Sequence, residues 1–219
     1  MKLLLTSGGI TNKSIEKALF DLVGKKPEET SVVFIPTASN MEKGDKTWLI
    51  DDLVYFKKQN FKSIDIADIS AVKENIWRPK FEEADILFFE GGNACHLMEW
   101  IDKSGLKSIM PELLKSKVYV GVSAGSMVTG KKLDIKILQI VYEENFDKNQ
   151  NMAGLGLVDF YFLPHLNSLD FQKVRENLIK EQTKKIQEKV YALDDNSALK
   201  VVDGKVEVIS EGIWFVANT

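Results

Sequence analysis

The segment Gly121-Val122-Ser123-Ala124-Gly125 places a serine between two glycines directly after the apolar run Val118–Val122. A strand that reverses sharply into a helix leaves the intervening serine strained with its hydroxyl exposed, and flanking side chains would collide there. The helix that follows aims its N-terminus at the serine, so the Ala124 backbone N–H can stabilise a developing oxyanion. The chemistry such a serine could do is acyl transfer, provided that a general base is at hand.

The chain has only two histidines. His96 sits in Asn93-Ala94-Cys95-His96-Leu97-Met98 at helical spacing among apolar residues, which suits a satisfied, partly buried side chain. His165 follows a short apolar run and Pro164, at the C-terminal end of a strand, where open α/β sheets gather their ligands. His165 is therefore the expected base. A third group must orient the imidazole, and Tyr191-Ala192-Leu193-Asp194-Asp195 ends another apolar run in carboxylates, so Asp195 or Asp194 fits. An α/β-hydrolase places its acid before the histidine, and the order Ser123, His165, Asp195 disfavours that fold.

A second glycine pair follows Ile86–Glu90, and Gly91 or Gly92 could supply another oxyanion donor beside a helix N-terminus. A phosphate cradle is the alternative there and at Ser7-Gly8-Gly9. Neither loop carries the full glycine spacing of a nucleotide-binding motif.

These residues must be held by alternating elements. Strands are expected at Leu3–Thr6, Ser31–Pro36, Ser63–Ile66, Ile86–Glu90 and Val118–Val122. Helical patterns cover Ser14–Val23, Asp45–Gln59, Ala94–Ile101 and Lys107–Leu114. The alternation predicts an α/β fold, a mostly parallel sheet with helices on both faces. Toward the C-terminus, a short strand Phe160–Leu163 and a long helix Phe171–Lys189 precede four closely spaced runs. These are Val190–Leu193, Ala198–Val202, Lys205–Ile209 and Trp214–Val216, with Asp203-Gly204 as a hairpin turn, and they predict an antiparallel extension of the sheet. No linker or repeat divides the chain, so residues 1–219 read as one unit.

The 219 residues are 44% hydrophobic and 28% charged, with a net charge of −3, which gives no concentrated basic face for nucleic acid. A single cysteine, Cys95, excludes an internal disulfide and a cysteine-rich zinc site. The N-terminal apolar run is too short for a signal peptide and no stretch reaches a membrane span, so the cytoplasm is the expected location.

Taken together, Pro36-Thr37-Ala38-Ser39, Phe89-Glu90-Gly91-Gly92-Asn93, Gly121–Ser126, Gly154-Leu155-Gly156 with Pro164-His165, and Leu193–Ala198 resemble the peptidase E family of aspartyl dipeptidases and related cyanophycinases. The resemblance implies a flavodoxin-like sheet akin to class I glutamine amidotransferases, with Ser in place of their Cys. It implies Ser123 as nucleophile, His165 as base and Asp195 as the acid, where the family commonly has Glu. Asp134 is a second acid that the family sometimes offers, and Gly92 with Ala124 would form the oxyanion hole.

The resemblance also locates a departure. Asp170 stands where an aspartyl dipeptidase carries the arginine that holds the substrate's aspartate, and Arg175 is the only arginine nearby. An acid there would repel an aspartate side chain, so the expected activity is peptidase-like without strict Asp-X preference. An amidase or glutaminase on the same fold, or a non-catalytic ligand-binding homologue, is the alternative. No metal or cofactor is called for. The expected partner is a small peptide substrate, without nucleic acid or membrane, and the chain is expected to be a monomer or homodimer.

Overall fold

The structure is a computed structural model that describes residues 1–143 and 153–218. In chain order it runs β1 (Lys2–Thr6), α1 (Lys13–Val23), β2 (Ser31–Ile35), α2 (Thr37–Asn40), α3 (Thr47–Lys58), β3 (Ser63–Ile66), α4 (Glu74–Glu83) and β4 (Ile86–Phe89). There follow α5 (Ala94–Lys103), α6 (Leu106–Leu113), β5 (Val118–Val122), α7 (Ala124–Met127), α8 (Ile135–Val141), β6 (Tyr161–Leu163) and α9 (Glu176–Gln182). Four strands close the chain: β7 (Val190–Leu193), β8 (Ser197–Val202), β9 (Lys205–Ser210) and β10 (Trp214–Ala217).

Seven strands form one sheet in the order β3-β2-β4-β5-β1-β8-β9. The first five are parallel to one another, and β8 and β9 join as antiparallel neighbours beyond β1. This is the mostly parallel α/β sheet expected from the sequence. Its central strands are apolar at every position because both faces are covered. Leu4, Phe34, Phe88 and Val120 face α1 and α3, where Leu19 and Phe56 pack on them. Leu5, Ile35, Phe89 and Tyr119 face the opposite layer, with Phe81 of α4, Leu97 of α5 and Met110 of α6.

The C-terminal part departs from expectation in two ways. β7 and β10 do not extend the main sheet; they form a second, three-stranded sheet with β6, in which β7 pairs parallel with β6. This small sheet buries Leu163, Val190 and Ala192 against Ile137 of α8 and Ile179 of α9. The expected long helix Phe171–Lys189 is also much shorter, being α9 with a 3-10 turn at Thr183–Lys185. Its first residues instead belong to a loop that runs on from His165, with Leu166 and Val174 buried.

Candidate active site

The C-terminal ends of β1 and β5 lie side by side, with Thr6 paired to Val122, and the chain leaves β5 through Ser123. Ser123 adopts φ 46° and ψ −106°, a conformation that costs a non-glycine residue on the order of 1–3 kcal/mol. The neighbourhood enforces it. A side chain at Gly121 would lie 2.6 Å from the Gly125 carbonyl, and one at Gly125 would lie 2.1 Å from the Phe89 carbonyl oxygen. The Ser123 N–H donates to Thr6 O at 3.0 Å, and Ser126 Oγ donates to Thr6 O at 2.8 Å, which ties the turn to β1.

His165 is presented by the chain end after β6, itself at positive φ (65°). Its Nε2 lies 2.8 Å from Ser123 Oγ and its Nδ1 lies 2.7 Å from Asp195 Oδ1. An ionised carboxylate only accepts, so Nδ1 carries the proton and Nε2 turns a lone pair toward the Ser123 hydroxyl. Phe171 stacks on the imidazole at 4.1 Å with planes 4° apart, and the His165 side chain is only 12% exposed. Burial works to raise the Asp195 carboxyl. The hydrogen bond and charge of His165, with the hydroxyls of Ser7 and Ser168, outweigh it and hold the carboxyl below its ordinary value.

Ser7 was not singled out from the sequence as a site residue. Its Oγ accepts the His165 backbone N–H at 2.7 Å and donates to Asp195 Oδ1 at 2.8 Å. A side chain at Gly8 would lie 2.9 Å from Asp195 Cβ, so the Ser7-Gly8-Gly9 turn, read above as a possible phosphate loop, closes on the carboxylate instead.

The other candidate acids are engaged elsewhere. Asp134 caps α8 by accepting from the Lys136 and Ile137 N–H groups. Asp194 accepts from Ser197 Oγ, from the Asn196 N–H and, at 2.6 Å, from the Ile213 N–H. His96 lies on α5 with its ring 6.3 Å from Trp100, and burial holds it below the ordinary histidine value.

The N–H groups of the two glycines in the loop differ in their surroundings. Gly91 N–H donates to the Glu90 carboxylate at 2.7 Å and is spoken for. Gly92 sits at φ 125° with its α-carbon against the Ala38 carbonyl, where a side chain would come within 2.4 Å. Among the described residues neither the Gly92 N–H nor the Ala124 N–H has a partner. Gly91 flanks Ser123: a side chain there would meet Ser123 Cβ at 3.4 Å and the Trp48 ring at 3.8 Å. Asp170 is exposed, and Arg175 Nη1 donates to the carbonyls of Phe171 and Val174 in its own loop.

The sequence profile of peptidase family S51 matches residues 3–209. The chain belongs to peptidase family S51. Members of this family are serine-type peptidases, and the relatives agree. Uncharacterized peptidase Lin0382 of Listeria innocua is 26% identical over 184 residues, covering 80% of this chain and 82% of its own length. Peptidase E of Shewanella oneidensis is 32% identical over 93 residues, 42% of this chain and 37% of that protein. Among solved structures, a candidate peptidase E protein from Listeria monocytogenes EGD-e superposes with a TM-score of 0.79 at 22% identity, covering 96% of this chain and 98% of that one. At that identity the superposition speaks for the S51 fold alone. No helix among the described residues is long and apolar enough to cross a membrane.

Proposed function

We propose that this S51 peptidase hydrolyses small peptides through an acyl-enzyme on Ser123, without strict preference for an N-terminal aspartate. The observation that carries the reading is the unbroken relay Ser123 Oγ, His165 Nε2, His165 Nδ1, Asp195 Oδ1 at the sheet's C-terminal edge. His165 takes the Ser123 proton as the hydroxyl oxygen attacks the scissile carbonyl. The negative oxygen that forms is met by the Gly92 and Ala124 N–H groups, and the imidazolium is balanced by Asp195. His165 then returns the proton to the leaving amine, and water repeats the sequence to free the acid.

The exposed Asp170 and the loop-bound Arg175 support a relaxed first position. Trp48, beside Gly91 and 39% exposed, offers an apolar wall there in place of a cation. A fluorophosphonate probe is expected to label the native chain and to leave Ser123→Ala unlabelled; equal labelling of both rejects Ser123 as the nucleophile. Turnover of a dipeptide panel is expected to include members without N-terminal aspartate, and cleavage confined to Asp-X dipeptides rejects the relaxed preference.

A further inference from the structure

Glu90 is the only Asp, Glu, Lys or Arg that is buried among the described residues, and it stands directly before Gly91, which flanks Ser123, and Gly92. Its Oε1 accepts the Gly91 N–H at 2.7 Å, while Oε2 finds no donor. The side chain within hydrogen-bonding reach of Glu90 is another carboxyl, Asp52 of α3. Asp52 is packed closely in its turn: a side chain at Gly9 would lie 2.6 Å from its Oδ1. The titratable groups around the pair are Asp51 and Tyr55 on α3 and Glu16 on α1, with His165 beyond Ser123. None of the ion pairs among the described residues brings a lysine or arginine to either carboxyl.

Two adjacent carboxyls, one buried and one half-buried, without a cation cannot both be ionised at modest cost. One proton between them satisfies both, with Glu90 donating through Oε2 to Asp52. Burial first, against the opposing hydrogen bond from Glu90 and with the charge of Asp51 adding to it, pushes Asp52 up to about 7, while burial and then the charge of Asp52 push Glu90 well above the ordinary range.

The loop in front of this pair is held at both sides of one residue. Glu90 holds the Gly91 N–H, and Ser39 Oγ donates to Gly91 O at 2.8 Å. In a trans peptide the Gly92 N–H points opposite to the Gly91 carbonyl, away from Ser39. We propose that Asp52 and Glu90 form a proton-sharing unit that positions the Gly92 N–H for Ser123, so that losing the shared proton places two negative charges behind the loop and slows the serine's reaction at alkaline pH. Glu90 is a positioning residue in this scheme, acting through the Gly91 backbone, and the scheme rests on the serine-peptidase reading above.

The test is the rate of fluorophosphonate labelling from about pH 5 to about pH 10 for the native chain, Glu90→Gln and Glu90→Ala. The native rate is expected to fall on the alkaline side. In Glu90→Gln the amide oxygen still accepts from Gly91 and the amide nitrogen donates to Asp52 with no proton to lose. That variant is expected to label within about threefold of the native rate at neutral pH and to lack the alkaline fall. Glu90→Ala is expected to label at least about tenfold more slowly. An alkaline fall in Glu90→Gln that superimposes on the native one overturns the inference while leaving Ser123 as nucleophile. A native chain that labels at no pH, with Glu90→Gln equally silent, overturns the peptidase reading and this inference with it.

Discussion

At Ser7 one hydroxyl serves two partners, and the arrangement of His165 against Asp195 depends on both. Replacing it with alanine leaves the His165 N–H unpaired and removes one donor from a carboxylate, a loss of about 1.4 kcal/mol in the state where the imidazole is charged. Ser7→Ala is expected to lower kcat about tenfold with little change in KM. Steady-state kinetics on a dipeptide that the native chain cleaves would show it, and an unchanged kcat would remove Ser7 from the relay. That Ser123 and His165 come together was legible in the sequence because histidine is scarce and each ends an apolar run; the carboxylates after β7 left Asp194 and Asp195 open, and the family resemblance pointed to Asp195. Ser7 was not, since a serine before two glycines has the composition of any tight turn. The exclusion of Gly91 as a donor was illegible for a related reason. It depends on where the Glu90 carboxylate folds back, and spacing does not encode that.

Among the elements, α7 and β4 meet more closely than side chains allow. Gly125 rests its α-carbon against the Phe89 carbonyl, and β4 leads straight into the Glu90-Gly91-Gly92 loop. Gly125→Ala must therefore part the elbow from the loop that would share its oxyanion. Overpacking of this kind costs about 1–3 kcal/mol, so Tm is expected to drop by roughly 2–12 °C. Fluorophosphonate labelling is expected to fall more than about a hundredfold, because displaced donors are worth more to the reaction than to the fold. Calorimetry with labelling kinetics checks both, and full labelling in a destabilised variant would show that the contact matters to packing alone.

The strands of the main sheet could be read because burial on both faces makes them continuous apolar runs. α4 was missed, since Pro79 interrupts a segment whose helical sign is only the buried pair Trp77 and Phe81. The overlong helix had the opposite cause. Its apolar residues recur at helical spacing, yet Phe171 is drawn out to stack on His165, and the chain turns at Asn167 with φ 61°. That β7 and β10 leave the main sheet for β6 depends on partners remote in sequence, which local periodicity does not carry.

For the molecule as a whole, the Asp52 and Glu90 carboxyl pair makes stability depend on pH in the direction opposite to a salt bridge. Asp52 goes from an ordinary value of 3.8 to about 7 on folding, chiefly through burial. Between those values the folded chain holds more protons than the unfolded chain, so stability falls as pH rises through that window. Asp52→Asn removes much of this dependence. The variant's Tm relative to native is expected to climb by about 5 °C from pH 4 to pH 8, and a constant difference across that range would count against a burial-raised Asp52.

Ser7 and Asp195 are 188 positions apart in sequence, and β1 lies between β5 and β8 in the sheet. During synthesis the Ser123 turn leaves the ribosome well before Asp195 exists. The strand that follows Asp195 must then find β1, a contact between the two ends of the chain that forms late because its loop is long. Until it does, His165 has neither the carboxylate nor a fully anchored Ser7 to set its tautomer. A nascent or partly unfolded chain thus carries the serine without the relay, and hydrolytic competence arrives only with the completed sheet.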